Sequence, residues 1–164
     1  MSILPMPTNF GANEWFVILS IVVTYTILFL LRKYFSASFT ILIILFSASI
    51  ARIVDHVLAG PPFDLYDIMD TEKFDLLDVF SYFLYGPFAY IFLYLYQKFN
   101  IQGMYTYIYT LLWSGLSVAY EWITVLFGVF SFKEWEPLYS FPVYLFVQSL
   151  TILFYHICLS AKNS

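Results

Sequence analysis

The stretch FTILIILFSASIARIVDHVL, residues 39–58, decides the class of this chain. From Phe39 to Ala51 it carries no charge, and about 20 residues of this character are what a helix needs to cross the hydrocarbon of a bilayer. Arg52, Asp55 and His56 then interrupt the run. A charge at such depth costs roughly 2.5–3.5 kcal/mol on insertion scales, so it is usually paired, turned inward and functional.

Four more segments read the same way. They run from about Trp15 to Leu31, from Val79 to Tyr96, from Tyr105 to Phe127 and from Tyr139 to Leu159. The whole chain is 164 residues, 62% hydrophobic, 23% aromatic and 11% charged. A soluble domain of that size could not hide so much apolar surface, because a large part of its residues must meet water. The expectation is an all-α, polytopic membrane protein: one domain, residues 1–164, forming a bundle of five transmembrane helices. The first segment is read as a retained helix. No Lys or Arg precedes it and Arg32-Lys33 follows it, the reverse of a signal peptide.

Charge sets the expected orientation. With the N-terminus outside, Arg32, Lys33, Lys98 and Lys162 lie inside, against Lys73 and Lys133 outside. Most carboxylates then fall on the outer side, and the expected topology is N-out, C-in. The outer loop of residues 59–78 is long and acidic, opens with Gly60-Pro61-Pro62, and alternates acids with Leu65, Tyr66, Ile68, Met69 and Phe74. That pattern suits a segment lying in the membrane interface. Trp15, Trp135 and Tyr139 are expected at the outer headgroup level, with Tyr94, Tyr96, Tyr105 and Tyr107 at the inner one.

Residues three, four and seven apart share a helix face. This aligns Ser49, Arg52, Asp55 and His56 in the second segment, and Asp78, Ser81, Tyr82 and Tyr85 in the third, before Gly86-Pro87. It aligns Ser114, Ser117 and Glu121 in the fourth, and Ser140, Tyr144, Gln148, Thr151 and Tyr155 in the fifth. Polar edges in lipid should turn toward one another. Ser47 and Ala51, with Gly115 and Ala119, offer small-xxx-small faces through which the second and fourth segments could pack. That would bring Arg52 beside Glu121, about 9 Å below the outer boundary at 1.5 Å per residue.

The candidate ligand-binding or proton-relay residues are therefore Arg52, Asp55, His56, Glu121, Asp78, Tyr82, Tyr85 and Tyr144. Taken alone, an Arg52–Glu121 pair reads equally well as a structural clamp. Asp55 and His56 tilt the reading toward a site, since a clamp needs two groups and not four. His56 with Asp55, Glu121 and Asp78 would suit zinc or iron. Adjacent helical residues rarely ligate together, however, and Arg52 would repel a cation, so neither a metal nor a cofactor is expected. Asp64-x-x-Asp67-x-x-Asp70 lacks the spacing of a calcium loop. Enzyme signatures such as H-E-x-x-H, G-x-S-x-G and the P-loop are missing, as is any basic run for nucleic acid. The expected partners are the lipid bilayer and, beyond it, a second copy of the chain or another membrane protein.

Glu121 in a helix, then Leu126-Phe127-Gly128, Trp135 and Tyr139-Ser140-Phe141-Pro142, resembles an uncharacterised family of small multi-helix integral membrane proteins of bacilli and clostridia. In that family an acidic residue also ends the second helix, here Asp55, and another opens the third, here Asp75 or Asp78. The resemblance covers roughly residues 50–145. The chain departs from it at Trp122, where proline is expected, and at Arg52. It implies a multi-pass protein of the bacterial plasma membrane and carries no established activity. Three readings follow: binding or sensing a small ligand in an outward-facing polar pocket, a small proton-coupled transporter, or a structural and partner-binding subunit.

Overall fold

The structure, a computed structural model, describes residues 10–31, 33–69 and 76–163, with the side chains of residues 76–78, 162 and 163 outside the description. Helix α1 spans Ala12–Leu30, α2 Ala37–Leu58, α3 Leu76–Phe83, α4 Tyr85–Lys98, α5 Met104–Leu126 and α6 Ser140–Asn163. Two short strands, β1 (Tyr66–Ile68) and β2 (Phe130–Phe132), and a 3-10 turn at Pro137–Tyr139 complete the described elements. Among the described residues, four stretches are long and apolar enough to cross a membrane: Ala12–Leu30, Ala37–Leu58, Val79–Lys98 and Pro137–Ala161.

Local chemistry sets the boundaries. Ser36 caps α2, its hydroxyl accepting from the Phe39 N–H at 3.3 Å. Gly128, at φ +72°, ends α5. Its N–H donates to the Val125 carbonyl at 3.0 Å, and the Val129 N–H to the Thr124 carbonyl at 2.9 Å. This is a Schellman stop, which needs a residue at ease in the left-handed region. The α1 start lies earlier than the sequence suggests, and Glu14 is buried inside the helix instead of facing outer water.

The third expected segment is broken at Leu84 into α3 and α4, for a reason visible in Pro87. Proline has no N–H to give the carbonyl four residues back. That carbonyl, on Phe83, accepts instead from the Tyr25 hydroxyl of α1 at 3.2 Å. The freed group is thus satisfied by a neighbouring helix and does not line a pocket.

Helix α4 is the centre of the bundle. Half of the Val79–Lys98 stretch is buried inside the protein, against 11% of Ala37–Leu58. Helices α2 and α4 meet closely where a Cβ built on Gly86 would stand 2.8 Å from Ile44 Cγ2. The expected small-residue packing of α2 on α5 is not what forms. Nothing lies within 4 Å of a Cβ on Gly115, and Gly115 and Ala119 are exposed. Glycine at 86 lets two backbones meet, and that contact takes the place of the one proposed at 115 and 119.

One end of the bundle is filled and the other is hollow. At the filled end Ile43, Tyr90, Leu93, Tyr94, Tyr96, Ile152 and Tyr155 form the main core, with Phe35 and Phe39 against it. Tyr94 and Tyr96 are therefore core residues, not a headgroup belt, whereas Tyr105 and Tyr107 are exposed.

The other end carries a ribbon. Strand β1 pairs antiparallel with β2 in the register Tyr66↔Phe132, Asp67↔Ser131, Ile68↔Phe130. The described part of the 59–78 loop is thus tied to the α5–α6 connection. Lys133 Nζ fastens it, 2.8 Å from both Asp64 Oδ1 and Asp67 Oδ1. Hydrogen bonds to those two carboxylates hold the ammonium above its ordinary range, against a small opposing effect of burial. Below the ribbon Val17, Met69 and Val129 make a second, smaller core.

Candidate functional site

The hollow end encloses a cavity of about 390 Å³. Tyr66, Ile68, Phe130, Phe132 and Trp135 roof it from the ribbon side, and Phe92, Trp113 and Thr151 close it toward the filled end. From Ser140 to Thr151 is about 16 Å along α6, at 1.5 Å per residue. The wall is mostly aliphatic and aromatic. A few polar groups interrupt it, and they come from the helix faces that the sequence marked.

Glu121 of α5 is 6% exposed. One carboxylate oxygen, Oε1, accepts from the Ser140 hydroxyl at 2.7 Å, and Ser140 accepts in turn from the Trp135 indole N–H at 2.8 Å. The other oxygen, Oε2, is fully buried and has no hydrogen-bond partner among the described residues. Tyr144, one turn further along α6 from Ser140, acts on the same carboxylate.

Asp55 of α2 is 8% exposed and also lines the cavity. Its Oδ1 accepts from the Tyr66 hydroxyl at 2.7 Å. Burial, and then the Asp55 charge, push that hydroxyl far above its ordinary range, so Tyr66 remains a donor. Strand β1 is in this way bonded to the end of α2 through a side chain as well as through the chain itself.

The edges of α5 and α6 interlock deeper in the cavity. Gln148 Oε1 accepts from the Ser114 hydroxyl at 3.0 Å, and Gln148 Nε2 donates to Ser117 at 3.1 Å. Ser114 shares its one hydroxyl proton between Gln148 and the Thr110 carbonyl, at 2.8 Å, whereas Ser117 accepts from the amide and donates to the Trp113 carbonyl. One amide therefore bridges two hydroxyls spaced three apart on the facing helix.

Of the residues the sequence proposed, Asp55, Glu121, Tyr85 and Tyr144 line the cavity together. Tyr82 is buried outside it. Its hydroxyl accepts from Arg52 Nη1 at 3.2 Å, and the guanidinium carbon lies 5.5 Å from its ring centre. Arg52 is thus turned to Tyr82 and makes no ion pair with Glu121. His56 is exposed and is not part of the lining. Successive helical residues differ by about 100°, so Asp55 facing inward sends His56 outward. The Asp78 side chain lies outside the described residues. No group of three or more His, Cys, Asp or Glu is placed to hold a metal among the described residues.

Sequence reasoning missed Tyr66 and Trp135 as site residues. Their signal is the period-two alternation of Leu65-Tyr66-Asp67-Ile68 and of Phe130-Ser131-Phe132 after a helix-ending glycine. Two such runs are strand candidates, and neither alone is long enough to stand out. Comparison of the chain with protein-family models, with curated proteins and with solved structures finds no match.

Proposed function

We propose that this chain is a multi-pass protein of a bacterial plasma membrane that binds a small, mainly apolar ligand in the cavity under the ribbon. The reading adds α5 as a fifth span to the four apolar stretches. Helix α5 is 23 residues, within the 19 to 25 of the four apolar stretches, and Leu112, Leu116 and Ile123 are exposed along it. The N-terminal ends of α1, α4 and α6 meet the ribbon end with the C-terminal ends of α2 and α5, so the chain alternates in direction. With the N-terminus outside, the ribbon and the cavity beneath it lie toward the outer side, in keeping with the balance of Lys and Arg.

The cavity carries the proposal. Helical interiors are packed to the density of organic crystals, and a void of about 390 Å³ is far beyond ordinary packing defects. It lies within the 300–1,000 Å³ that small-molecule sites occupy, and it has their character: apolar walls with a few convergent polar groups. Arg52 is not among those groups, so the recognition of an anionic ligand is not part of the reading.

The test is saturable binding of a neutral probe sized to the cavity. Purified protein in mild detergent is titrated with 4-phenyl-1-butanol, and the unfolding temperature is followed. A saturable rise is expected, and Ala51→Trp, which fills the cavity from α2, should remove it. If the wild-type protein shows no saturable shift with this probe or its charged analogues, the cavity is not a binding site.

A further inference from the structure

The cavity has two acids in its wall and, among the described residues, no Lys, Arg or His. That imbalance goes beyond the existence of a pocket to the kind of ligand it takes. We infer that the ligand is an amphiphilic cation: an ammonium-type group seated at the Glu121 carboxylate, carried by an apolar body against the aromatic walls. The inference rests on the proposed ligand-binding cavity and names its ligand class.

Three observations converge. Glu121 is 6% exposed, and its Oε2 is fully buried without a hydrogen-bond partner among the described residues. A buried carboxylate oxygen left unsatisfied is costly, and a cationic donor is the partner that offsets both its charge and its lost hydrogen bonds. Second, the counter-charge that the sequence offered lies elsewhere. Arg52 is engaged with Tyr82, outside the lining, and Ser140 and Tyr144 are the described groups that act on Glu121. Both are uncharged. Third, Tyr85, Tyr144, Phe88, Trp113 and Trp135 surround the same space. Aromatic faces attract a desolvated cation electrostatically and bind an apolar body by contact, whereas they offer an anion nothing.

Asp55 plays a different part. Its Oδ1 is taken by Tyr66, and the Tyr82 hydroxyl and the Arg52 charge act on it from outside the cavity, which leaves Glu121 as the seat.

The experiment compares three isosteres on one protein: 4-phenylbutylamine, 4-phenyl-1-butanol and 4-phenylbutyrate, with dissociation constants from thermal unfolding in detergent. The amine should bind at least about tenfold more tightly than the alcohol, the range expected for a hydrogen bond to a charged group, and the carboxylate should bind weakest. Glu121→Gln should erase the advantage of the amine while alcohol binding persists. Equal affinity for amine and alcohol in the wild-type protein would overturn the cation assignment and leave the cavity reading standing. An amine preference that survives both Glu121→Gln and Asp55→Asn would overturn it as well. Failure of all three probes removes the cavity reading itself. The wild-type comparison needs no variant to fold.

Discussion

The Tyr66 hydroxyl donates to Asp55 Oδ1 at 2.7 Å, with both residues more than nine-tenths buried. One sits on a short strand outside the helices and the other in the last turn of α2. Their bond joins the ribbon that roofs the cavity to a helix that walls it. Tyr66 also packs its ring against Phe130, Phe132 and Trp135, so the same side chain holds the roof together from within.

Tyr66→Phe keeps those ring contacts and removes the donor. A buried carboxylate oxygen then loses a hydrogen bond, and the expected loss is about 1–3 kcal/mol of stability. Asp55→Asn keeps an acceptor for Tyr66 and should cost less than Tyr66→Phe. Equilibrium unfolding of the two variants in the same detergent checks the order.

Gln148→Leu should cost about 1 kcal/mol or less. The amide bridges Ser114 and Ser117, but each serine also has a carbonyl of its own helix to donate to. Side-chain hydrogen bonds between membrane helices average about 0.6 kcal/mol in double-mutant cycles. A coupling between Gln148→Leu and Ser117→Ala well above about 1.7 kcal/mol, the upper end of such measurements, would show a stronger network than this geometry supports.

Gly86→Ala should destabilise by about 1–3 kcal/mol, the usual range for overpacking. The added Cβ would stand 2.8 Å from Ile44 Cγ2 and 3.1 Å from Ile44 Cβ, and a β-branched side chain has little freedom to yield. Combining it with Ile44→Ala should recover part of the loss. The same alanine at Gly115, with nothing within 4 Å, should be silent or mildly stabilising.

The Lys133 clasp predicts how the ribbon responds to salt and pH. Both of its ion pairs are exposed, so screening should loosen them above about 0.5 M salt, where the Debye length falls toward 3 Å. The ammonium is held above its ordinary range, so its contribution is complete below pH about 10.4 and is lost as pH rises through the higher folded value. Trp135 fluorescence, in a variant where the other tryptophans are replaced by phenylalanine, reports the ribbon. Lys133→Met should flatten both the salt and the high-pH response.

Much of the site was legible as periodicity. The polar edge of the fourth apolar segment and that of the fifth do face one another, and Glu121 meets Ser140 as their faces require. Asp55, Tyr85 and Tyr144 were reachable by the same spacing. Arg52 and His56 were not separable from Asp55 by sequence, because helical periodicity groups residues within a broad arc and cannot say where the arc is centred. The partner helix decides that, and Gly86 against Ile44 brings α4, not α5, onto α2.

By itself the sequence determined the class of the protein and the positions of its long helices, because hydrocarbon tolerates only backbone that satisfies itself and only side chains of low polarity. It also determined that Glu121 and Asp55 must be sheltered, since neither could face lipid. The tertiary structure decided which groups shelter them. The ribbon forms between two loops that are about 60 residues apart in the chain, and no local pattern links Tyr66 to Phe132 or Tyr66 to Asp55. Such pairings are fixed by how the other helices pack about α4, which sets where their ends meet. That packing fills one end with aromatic rings and leaves the other with a cavity and two acids.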